Sequence, residues 1–259
     1  LVLNLAGNLQ GNRRSRYLEA NVQVPRTLLS LTESISTPVP IIHISSVAAL
    51  GPTAKEYPLP ESAPCRPVSL YGKTKQMGEA VFTNSPPSSP VLIVRLPSIY
   101  GPGDRCFFDL FRMARAGFFV KLCTRNKAFQ LLYRDDFVNL LIELIGLIKQ
   151  EQSPGFSSEP FRNLPRLSRD CSPRVLNLGH SEVISDEDLA SALEQASGRS
   201  LRRLFIPRPP VRCAALIERL HEVIAPRPPL FSLSKFHELS QEFWLQDFSI
   251  CTKLLGPLS

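Results

Sequence analysis

The sequence predicts an α/β fold in which a parallel sheet is covered by helices on both faces. Three continuous apolar segments, at residues 1–7, 40–45 and 90–96, have the length of strands that are buried on both faces. Helical patterns at residues 16–33 and 69–82 separate these segments. Buried strands that alternate with helices are typical of parallel sheets, so these two observations together indicate the fold class.

The first strand begins directly at Leu1, without a polar lead-in or a capped helix before it. We therefore expect the sequence to begin in mid-domain and this strand to form an exposed edge of the sheet. The helix that follows is predicted despite Pro25, because its apolar residues recur at helical spacing. These residues are Tyr17, Leu18, Val22, Val24, Leu28, Leu29 and Leu31.

Beyond Ile99 the regular alternation stops, and shorter elements are predicted. They are a helix at 109–115, a strand at 129–133, an apolar helix that Asp135 or Asp136 caps and that ends at Ile148, and a strand at 174–178. A long turn-rich connection at 150–173 is expected to be mobile.

The last part of the chain has the composition of a smaller lobe packed on the sheet. A helix begins after Ser185, a hydroxyl cap followed by an acidic first turn, and ends at Gly198. Proline-rich hinges then alternate with two amphipathic helices near 211–223 and 232–240.

Composition excludes several classes of protein. With 43% hydrophobic and 20% charged residues among 259, the chain is globular. Its longest apolar stretch, residues 137–148, is shorter than the roughly 20 residues of a membrane span, and no signal peptide is visible, so a cytoplasmic protein is expected. The net charge is +7, but the arginines are dispersed without interleaved aromatic residues, which disfavours a nucleic-acid role.

Cysteine and histidine spacing predicts neither a disulfide framework nor a metal site. The six cysteines contain no Cys-x-x-Cys pair, which fits reduced thiols. The four histidines lie far apart in sequence. His43, on a buried strand, is interpreted as a packing residue.

Candidate catalytic residues lie at the end of one strand and the start of the next helix. Tyr71 and Lys75 are four residues apart and share a helix face, where an ammonium group can favour the phenolate form of a tyrosine. Ser45 and Ser46 end a strand, where open α/β sheets place their ligands. Together these groups can oxidise an alcohol or reduce a ketone by acid/base catalysis. Taken alone, a Tyr-x-x-x-Lys pattern also occurs by chance on surface helices.

Further segments resemble, in order and over nearly the whole chain, the extended short-chain dehydrogenase/reductase family. That family contains nucleotide-sugar epimerases and dehydratases and steroid-type 3β-hydroxy dehydrogenases. The matching segments are Val2-Leu-Asn-Leu-Ala-Gly, Asn21-Val-Gln-Val-Pro-Arg-Thr-Leu-Leu, Ser45-Ser-Val-Ala-Ala-Leu-Gly-Pro, Tyr71-Gly-Lys-Thr-Lys, Arg95-Leu-Pro-Ser-Ile-Tyr-Gly-Pro-Gly-Asp, Tyr133-Arg-Asp-Asp-Phe-Val and Val175-Leu-Asn-Leu-Gly-His.

The resemblance implies an NAD- or NADP-dependent oxidoreductase or epimerase that acts on a CH–OH group of a sugar nucleotide or a steroid-like alcohol. Tyr71 would be the general acid/base, Lys75 would lower the Tyr71 pKa and hold the nicotinamide ribose, and Ser46 would orient the reacting oxygen. Ser45 is the less favoured serine. The other positions that the resemblance implies are Ala6 and Gly7 beside the adenosine and Pro97, Ser98 and Ile99 beside the nicotinamide.

Simpler interpretations stand beside these assignments. Ala6 and Gly7 also suit a tight turn, and Pro97 a strand end. Arg105 and Arg134 are candidates for binding a substrate phosphate or carboxylate, although exposed arginines are more often solvated. A small-molecule substrate is the expected partner, and a homodimer is possible.

The resemblance also implies a domain plan. A Rossmann-like dinucleotide-binding domain would comprise residues 1–98, about 135–148 and 174–179, and a substrate-binding lobe would comprise residues 99–134 and 180–259. Residues 1–259 contain no Gly-x-x-Gly-x-x-Gly turn, which in the family binds the pyrophosphate. By the family plan, strands would precede Leu1, so we expect an N-terminally truncated sheet. The alternative is a truncated, catalytically inactive paralogue that acts as an interaction module.

Overall fold

The structure is a computed structural model that describes residues 1–9, 14–54, 56–84, 90–104, 106–151, 174–224 and 232–256. The described strands are β1 (Val2–Asn4), β2 (Ile41–Ser46), β3 (Val91–Leu96), β4 (Ser98–Tyr100), β5 (Phe118–Cys123), β6 (Ala128–Phe129), β7 (Leu131–Tyr133), β8 (Arg174–Asn177), β9 (Ile184–Ser185), β10 (Arg202–Pro207) and β11 (Phe243–Trp244). The described α-helices are α1 (Arg14–Leu18), α2 (Val24–Glu33), α3 (Val47–Leu50), α4 (Leu70–Asn84), α5 (Cys106–Arg115), α6 (Arg134–Glu151), α7 (Asp186–Ser197), α8 (Arg208–Ile224), α9 (Leu233–Leu239) and α10 (Ser249–Leu255).

The central sheet consists of four parallel strands in the order β1-β2-β3-β8, which confirms the predicted α/β class. In its register, Asn4 lies beside His43, and Arg95 beside Asn177. Because parallel strands end at the same edge, this sheet presents the residues after each strand together, where such folds bind ligands. Within the described residues β1 lies at one edge of the sheet, as predicted.

Helices cover both faces of this sheet because its strands are apolar on both sides. On one face, Ile41 and Ile93 pack with Leu29 of α2 and Phe82 of α4. On the other face a larger core joins the strands to α6 and α10. Its fully buried members include Ile42, Val94, Leu140, Leu144, Leu176 and Phe248.

The segment predicted as one helix at 16–33 is helical throughout, but it contains a π-helical turn, Glu19–Gln23, between α1 and α2. Pro25 lies in the first turn of α2, where the missing N–H group is tolerated. π-Helical turns are uncommon and often occur at functional sites. This one brings Asn21 into the interior, where it is fully buried.

Helix α6 differs from its prediction at both ends. It begins at Arg134, so Asp135 and Asp136 lie inside its first turn and do not cap it. Their carboxylates still favour the helix, since they face the positive end of its dipole. The helix continues to Glu151, into the loop predicted at 150–173, and residues 152–173 lie outside the described part of the chain.

Helix α7 follows its prediction closely. The Ser185 hydroxyl accepts a hydrogen bond from the Asp188 backbone, and the Asp188 carboxylate accepts one from the Ser185 backbone, which together form a capping box. Gly198 ends the helix in a left-handed conformation with φ 65°.

The remaining elements form small sheets. Strands β5 and β10 form a parallel pair, β4 pairs with β7, and β11, β6 and β9 form a third sheet. Across the described ranges, no helix combines the length and the apolar composition that a membrane span requires. Nor do the described residues include a group of three or more His, Cys, Asp or Glu side chains that could hold a metal ion.

Candidate active site

Ser46 and Tyr71 meet at the carboxyl edge of the central sheet. Ser46 ends β2 and caps α3, where its hydroxyl accepts a hydrogen bond of 3.1 Å from the Ala48 backbone. Tyr71 lies in the first turn of α4, and its hydroxyl is hydrogen-bonded to that of Ser46. The structure thus brings together the two hydroxyl groups that sequence reasoning assigned to one reacting oxygen.

The pKa of Tyr71 is raised, chiefly by burial. The hydrogen bond from Ser46 opposes this shift, whereas the Glu238 carboxylate and Tyr17 add to it. Lys75 is not among the groups that shift the Tyr71 pKa in this conformation, where desolvation of the phenolate decides the direction. The expected lowering of that pKa by Lys75 therefore stays a prediction. Tyr71 is consequently a neutral phenol at neutral pH, able to donate a proton.

Lys75 lies one helical turn after Tyr71 and is only 4% exposed. Its Nζ donates a hydrogen bond of 2.9 Å to the backbone oxygen of Ile44, on β2. Burial lowers the pKa of Lys75 to about 8. The Glu79 carboxylate has the opposite, smaller effect and raises this pKa. An ammonium group with this pKa can change its protonation near neutral pH.

The loop after β1 approaches Lys75 at Gly7. A Cβ atom at position 7 would lie 3.0 Å from Lys75 Nζ and 3.5 Å from Asn21 Oδ1, so a larger residue there would press on the lysine. The Ala6 backbone donates a hydrogen bond of 3.1 Å to Asn4 Oδ1, which fixes the turn. Ala6 and Gly7 therefore lie on the loop after β1 that approaches Lys75. The space beside Lys75 explains why position 7 is a glycine.

The segment predicted to contact the nicotinamide follows β3. Pro97 is buried against position 179, since a Cβ atom on Gly179 would lie 3.1 Å from Pro97 Cγ. Ser98 is exposed to solvent and Ile99 packs at the margin of the larger core. Both belong to β4 and so remain at the carboxyl edge of the sheet.

Of the two candidate arginines, the structure describes Arg134. Arg134 is exposed, and its guanidinium bonds locally, to the Asp135 carboxylate at 2.8 Å and the Pro102 backbone oxygen at 2.8 Å. Arg105 lies outside the described residues. The guanidinium of Arg134 is therefore held by its own helix and by the loop after β4.

Sequence reasoning missed Asn21 and Ser234. Asn21 donates a hydrogen bond of 2.9 Å to Thr74 Oγ1, between Tyr71 and Lys75 on α4, and accepts one of 3.1 Å from the Asn8 backbone. It stood in a segment matched to the family, but nothing in the pattern showed that it would be buried there. Ser234, from α9, accepts a hydrogen bond of 3.3 Å from the Tyr71 backbone across 163 residues of sequence, a contact that no local pattern signals.

The donor set formed by Ser46, Tyr71 and Lys75 suits a nicotinamide riboside and the oxygen of a reacting alcohol. All three groups are hydrogen-bond donors, Ser46 at the carboxyl end of β2 and Tyr71 and Lys75 on α4 beside it. Two hydroxyl groups are suited to a substrate oxygen, and an ammonium group to the hydroxyls of a ribose. The described residues therefore fit the nicotinamide end of a dinucleotide.

The chain is similar to known proteins in sequence and in fold. A sequence model of the NAD dependent epimerase/dehydratase family matches residues 1–155. The dTDP-6-deoxy-L-talose 4-dehydrogenase (NAD(P)(+)) of Kitasatospora kifunensis is 25% identical over 105 residues. That match spans 40% of this chain and only 33% of the length of the dehydrogenase.

Solved structures that share the fold include an epimerase and a dehydratase. UDP-glucuronic acid 4-epimerase from Bacillus cereus, in complex with UDP-glucuronic acid and NAD, has a TM-score of 0.65 and 21% identity, covering 98% of this chain and 69% of the epimerase. TunA, an NAD-dependent NDP-hexosamine 5,6-dehydratase involved in tunicamycin biosynthesis, also has a TM-score of 0.65 and 21% identity, with 100% of this chain and 71% of TunA covered. At these identities the two structures show a common fold.

Proposed function

The chain belongs to the NAD dependent epimerase/dehydratase family, and from that premise we propose that it is an NAD(P)-dependent oxidoreductase or epimerase of nucleotide sugars. The observation that carries this proposal is the hydrogen-bonded pair of Ser46 and Tyr71 beside the buried Lys75. Related proteins support the substrate class, since the matched dehydrogenase carries a dTDP-sugar name and the epimerase was solved with UDP-glucuronic acid.

In this proposal Tyr71 exchanges a proton with the substrate oxygen. Its neutral phenol donates the proton when a ketone is reduced, and the phenolate accepts it when an alcohol is oxidised. A bound nicotinamide dinucleotide would supply the hydride acceptor or donor. Ser46 holds the substrate oxygen at the Tyr71 hydroxyl. The Lys75 ammonium favours the phenolate form of Tyr71 once substrate has displaced the hydrogen bond between Ser46 and Tyr71.

The family plan extends to the division of the chain. We assign residues 1–98, 134–151 and 174–179 to the dinucleotide-binding half, because they form the central sheet and three of the helices that cover it, α2, α4 and α6. Residues 99–133 and 180–256 are assigned to the substrate lobe. The Ser234 contact with the Tyr71 backbone would then join the lobe to the acid/base centre.

The proposal is tested with purified protein, NAD⁺ or NADP⁺, and a panel of UDP- and dTDP-linked hexoses, with turnover followed by nicotinamide absorbance and by chromatography of the sugar nucleotides. We expect Tyr71→Phe to lower kcat/KM by about a hundredfold or more, because the transferred proton has no group to accept it. Tyr57→Phe is the matched control, since Tyr57 is 75% exposed and should leave activity unchanged.

Two results would contradict the proposal. One is a folded Tyr71→Phe protein with wild-type activity. The other is a wild-type protein that binds neither dinucleotide in calorimetric titration, a result that would favour the inactive interaction module.

A further inference from the structure

A buried ion pair lies directly behind the proposed acid/base centre. The Glu79 carboxylate, on α4, accepts hydrogen bonds from Arg95 Nε at 3.0 Å and from Arg95 Nη2 at 2.7 Å. The side chains of Glu79 and Arg95 are 3% and 0% exposed. The Ser45 hydroxyl donates a third bond, of 2.6 Å, to the same carboxylate. A bidentate pair with this geometry fixes the orientation of both side chains.

Glu79 completes a row of contacts between β2 and α4. Tyr71, Lys75 and Glu79 are spaced four residues apart, so they follow one another along one face of the helix. Each contacts one of the last three residues of the strand. The contacts are Tyr71 with the Ser46 hydroxyl, Lys75 with the Ile44 backbone oxygen and Glu79 with the Ser45 hydroxyl. The position of α4 along β2 therefore depends on all three.

Arg95 extends this row to the loop that leads into α4. Its Nη1 donates a hydrogen bond of 3.1 Å to the Glu61 backbone oxygen, and its Nη2 contacts Cys65 Sγ at 3.3 Å. One buried guanidinium thus holds the helix through Glu79 and the preceding loop through residues 61–65. Tyr71, in the first turn of α4, lies between these two points of attachment along the chain.

The charge of Glu79 acts on Lys75 as well. Among the described residues, the Glu79 carboxylate is the charge that raises the pKa of Lys75 against its burial. His43 faces Lys75 from β2, and burial together with the Lys75 charge lowers the pKa of His43 to about 3, so the imidazole is neutral. Asn21, from the π-helical turn, and Gly7 bring no charge to the lysine. Glu238 and Tyr17 act on Tyr71.

We propose that Glu79 is a positioning residue for the acid/base centre: with Arg95 and Ser45 it holds α4 in register with β2 and keeps Lys75 in its ammonium form. Glu79 itself touches no reacting atom. The proposal deepens the proposed function and rests on it wherever turnover is the measurement.

The test measures the titration of Lys75 directly, by NMR of protein labelled with ¹³C at the lysine side chains, with Lys75→Met to assign the signal. In Glu79→Gln we expect the pKa of Lys75 to fall below its present value of about 8. Removing the carboxylate charge removes its attraction for the ammonium, which leaves desolvation unopposed. The alkaline limb of the kcat profile should move down in pH with it, while KM for the sugar nucleotide stays constant.

Two variants separate charge from position. Glu79→Asp keeps the charge but shortens the side chain, so the Lys75 pKa should stay near 8 while kcat still falls. Glu33→Gln, an exposed carboxylate at the end of α2, is the matched control and should change neither quantity. If Glu79→Gln does not fold, Glu79→Gln with Arg95→Met removes both buried charges, which such pairs tolerate better than the loss of one.

A folded Glu79→Gln protein whose Lys75 titrates as in Glu33→Gln would overturn the proposal. Full kcat in Glu79→Asp would also overturn the proposal, because the position of the Glu79 carboxylate would then not affect turnover. A wild-type protein without turnover contradicts the proposed function alone, since the lysine titration still decides whether Glu79 controls the charge of Lys75.

Discussion

Replacing Gly78 with alanine tests how closely α4 packs on the π-helical turn. A Cβ atom at position 78 would lie less than 3.0 Å from the backbone oxygen of Asn21 and 3.6 Å from His43 Nε2. The oxygen belongs to backbone inside a helix and cannot move aside as the end of a flexible side chain can. The methyl group would therefore push α4 away from the turn, and Lys75 with it.

The magnitude follows from two opposing effects. Overpacking of a tight core contact costs about 1–3 kcal/mol, and alanine returns less than about 1 kcal/mol of helix propensity relative to glycine. With a backbone carbonyl as the obstacle, we expect the cost near the upper end and a net loss of about 2 kcal/mol in the free energy of unfolding. For a chain of this size, that lowers Tm by about 4–8 °C.

Urea unfolding followed by circular dichroism measures this difference, with Gly146→Ala as the matched control. Gly146 also lies inside a helix, α6, but a Cβ atom there meets nothing within 4 Å. Alanine at 146 should therefore raise stability by about 0.5–1 kcal/mol. Equal stability changes in the two variants would refute the close packing of α4 on Asn21.

Two further predictions concern stability. Burial and the Lys75 charge lower the pKa of His43 to about 3, whereas an unfolded histidine titrates near 6.5. The unfolded chain then binds a proton that the folded chain does not, so stability should fall as pH drops from about 6.5 to about 3. His43→Gln should flatten that dependence in urea unfolding at successive pH values, and an unchanged slope would assign it to other groups. Ser185→Ala removes the hydroxyl that accepts a hydrogen bond from the Asp188 N–H at the start of α7, and should lower the free energy of unfolding by about 1 kcal/mol. Ser34→Ala is the control, because the Ser34 hydroxyl donates to the Leu31 backbone oxygen at an exposed helix end, and should lower stability less in the same assay.

The central sheet could be predicted from sequence because its strands carry their signal locally. β2 and β3 are continuous apolar runs, and the segments between them have helical spacing. The ends of α7 were equally visible, since Ser185 and Gly198 act through contacts a few residues away. In each of these places the physical cause lies within the segment that shows the pattern.

The strands outside that sheet were harder to predict because their partners lie far along the chain. β5 and β10 pair in parallel across about eighty residues, with Phe118 beside Arg202. Both strands mix apolar and basic side chains, and β10 is largely exposed, so neither shows the apolar run of a buried strand. Sequence reasoning consequently recognised β6 and β7 as one strand and missed β5 and β10 altogether.

At the candidate site, the positions of the residues could be predicted from sequence, but the environment that sets their protonation could not. The spacing of Tyr71 and Lys75 fixes their common helix face, and that much follows from sequence alone. Their protonation does not, because desolvation dominates both shifts: it raises the pKa of Tyr71 and lowers that of Lys75 to about 8. The carboxylate that opposes the Lys75 shift belongs to Glu79, whose partner Arg95 comes from another strand. The protonation of Tyr71 and Lys75 therefore depends on packing that neither residue encodes by itself.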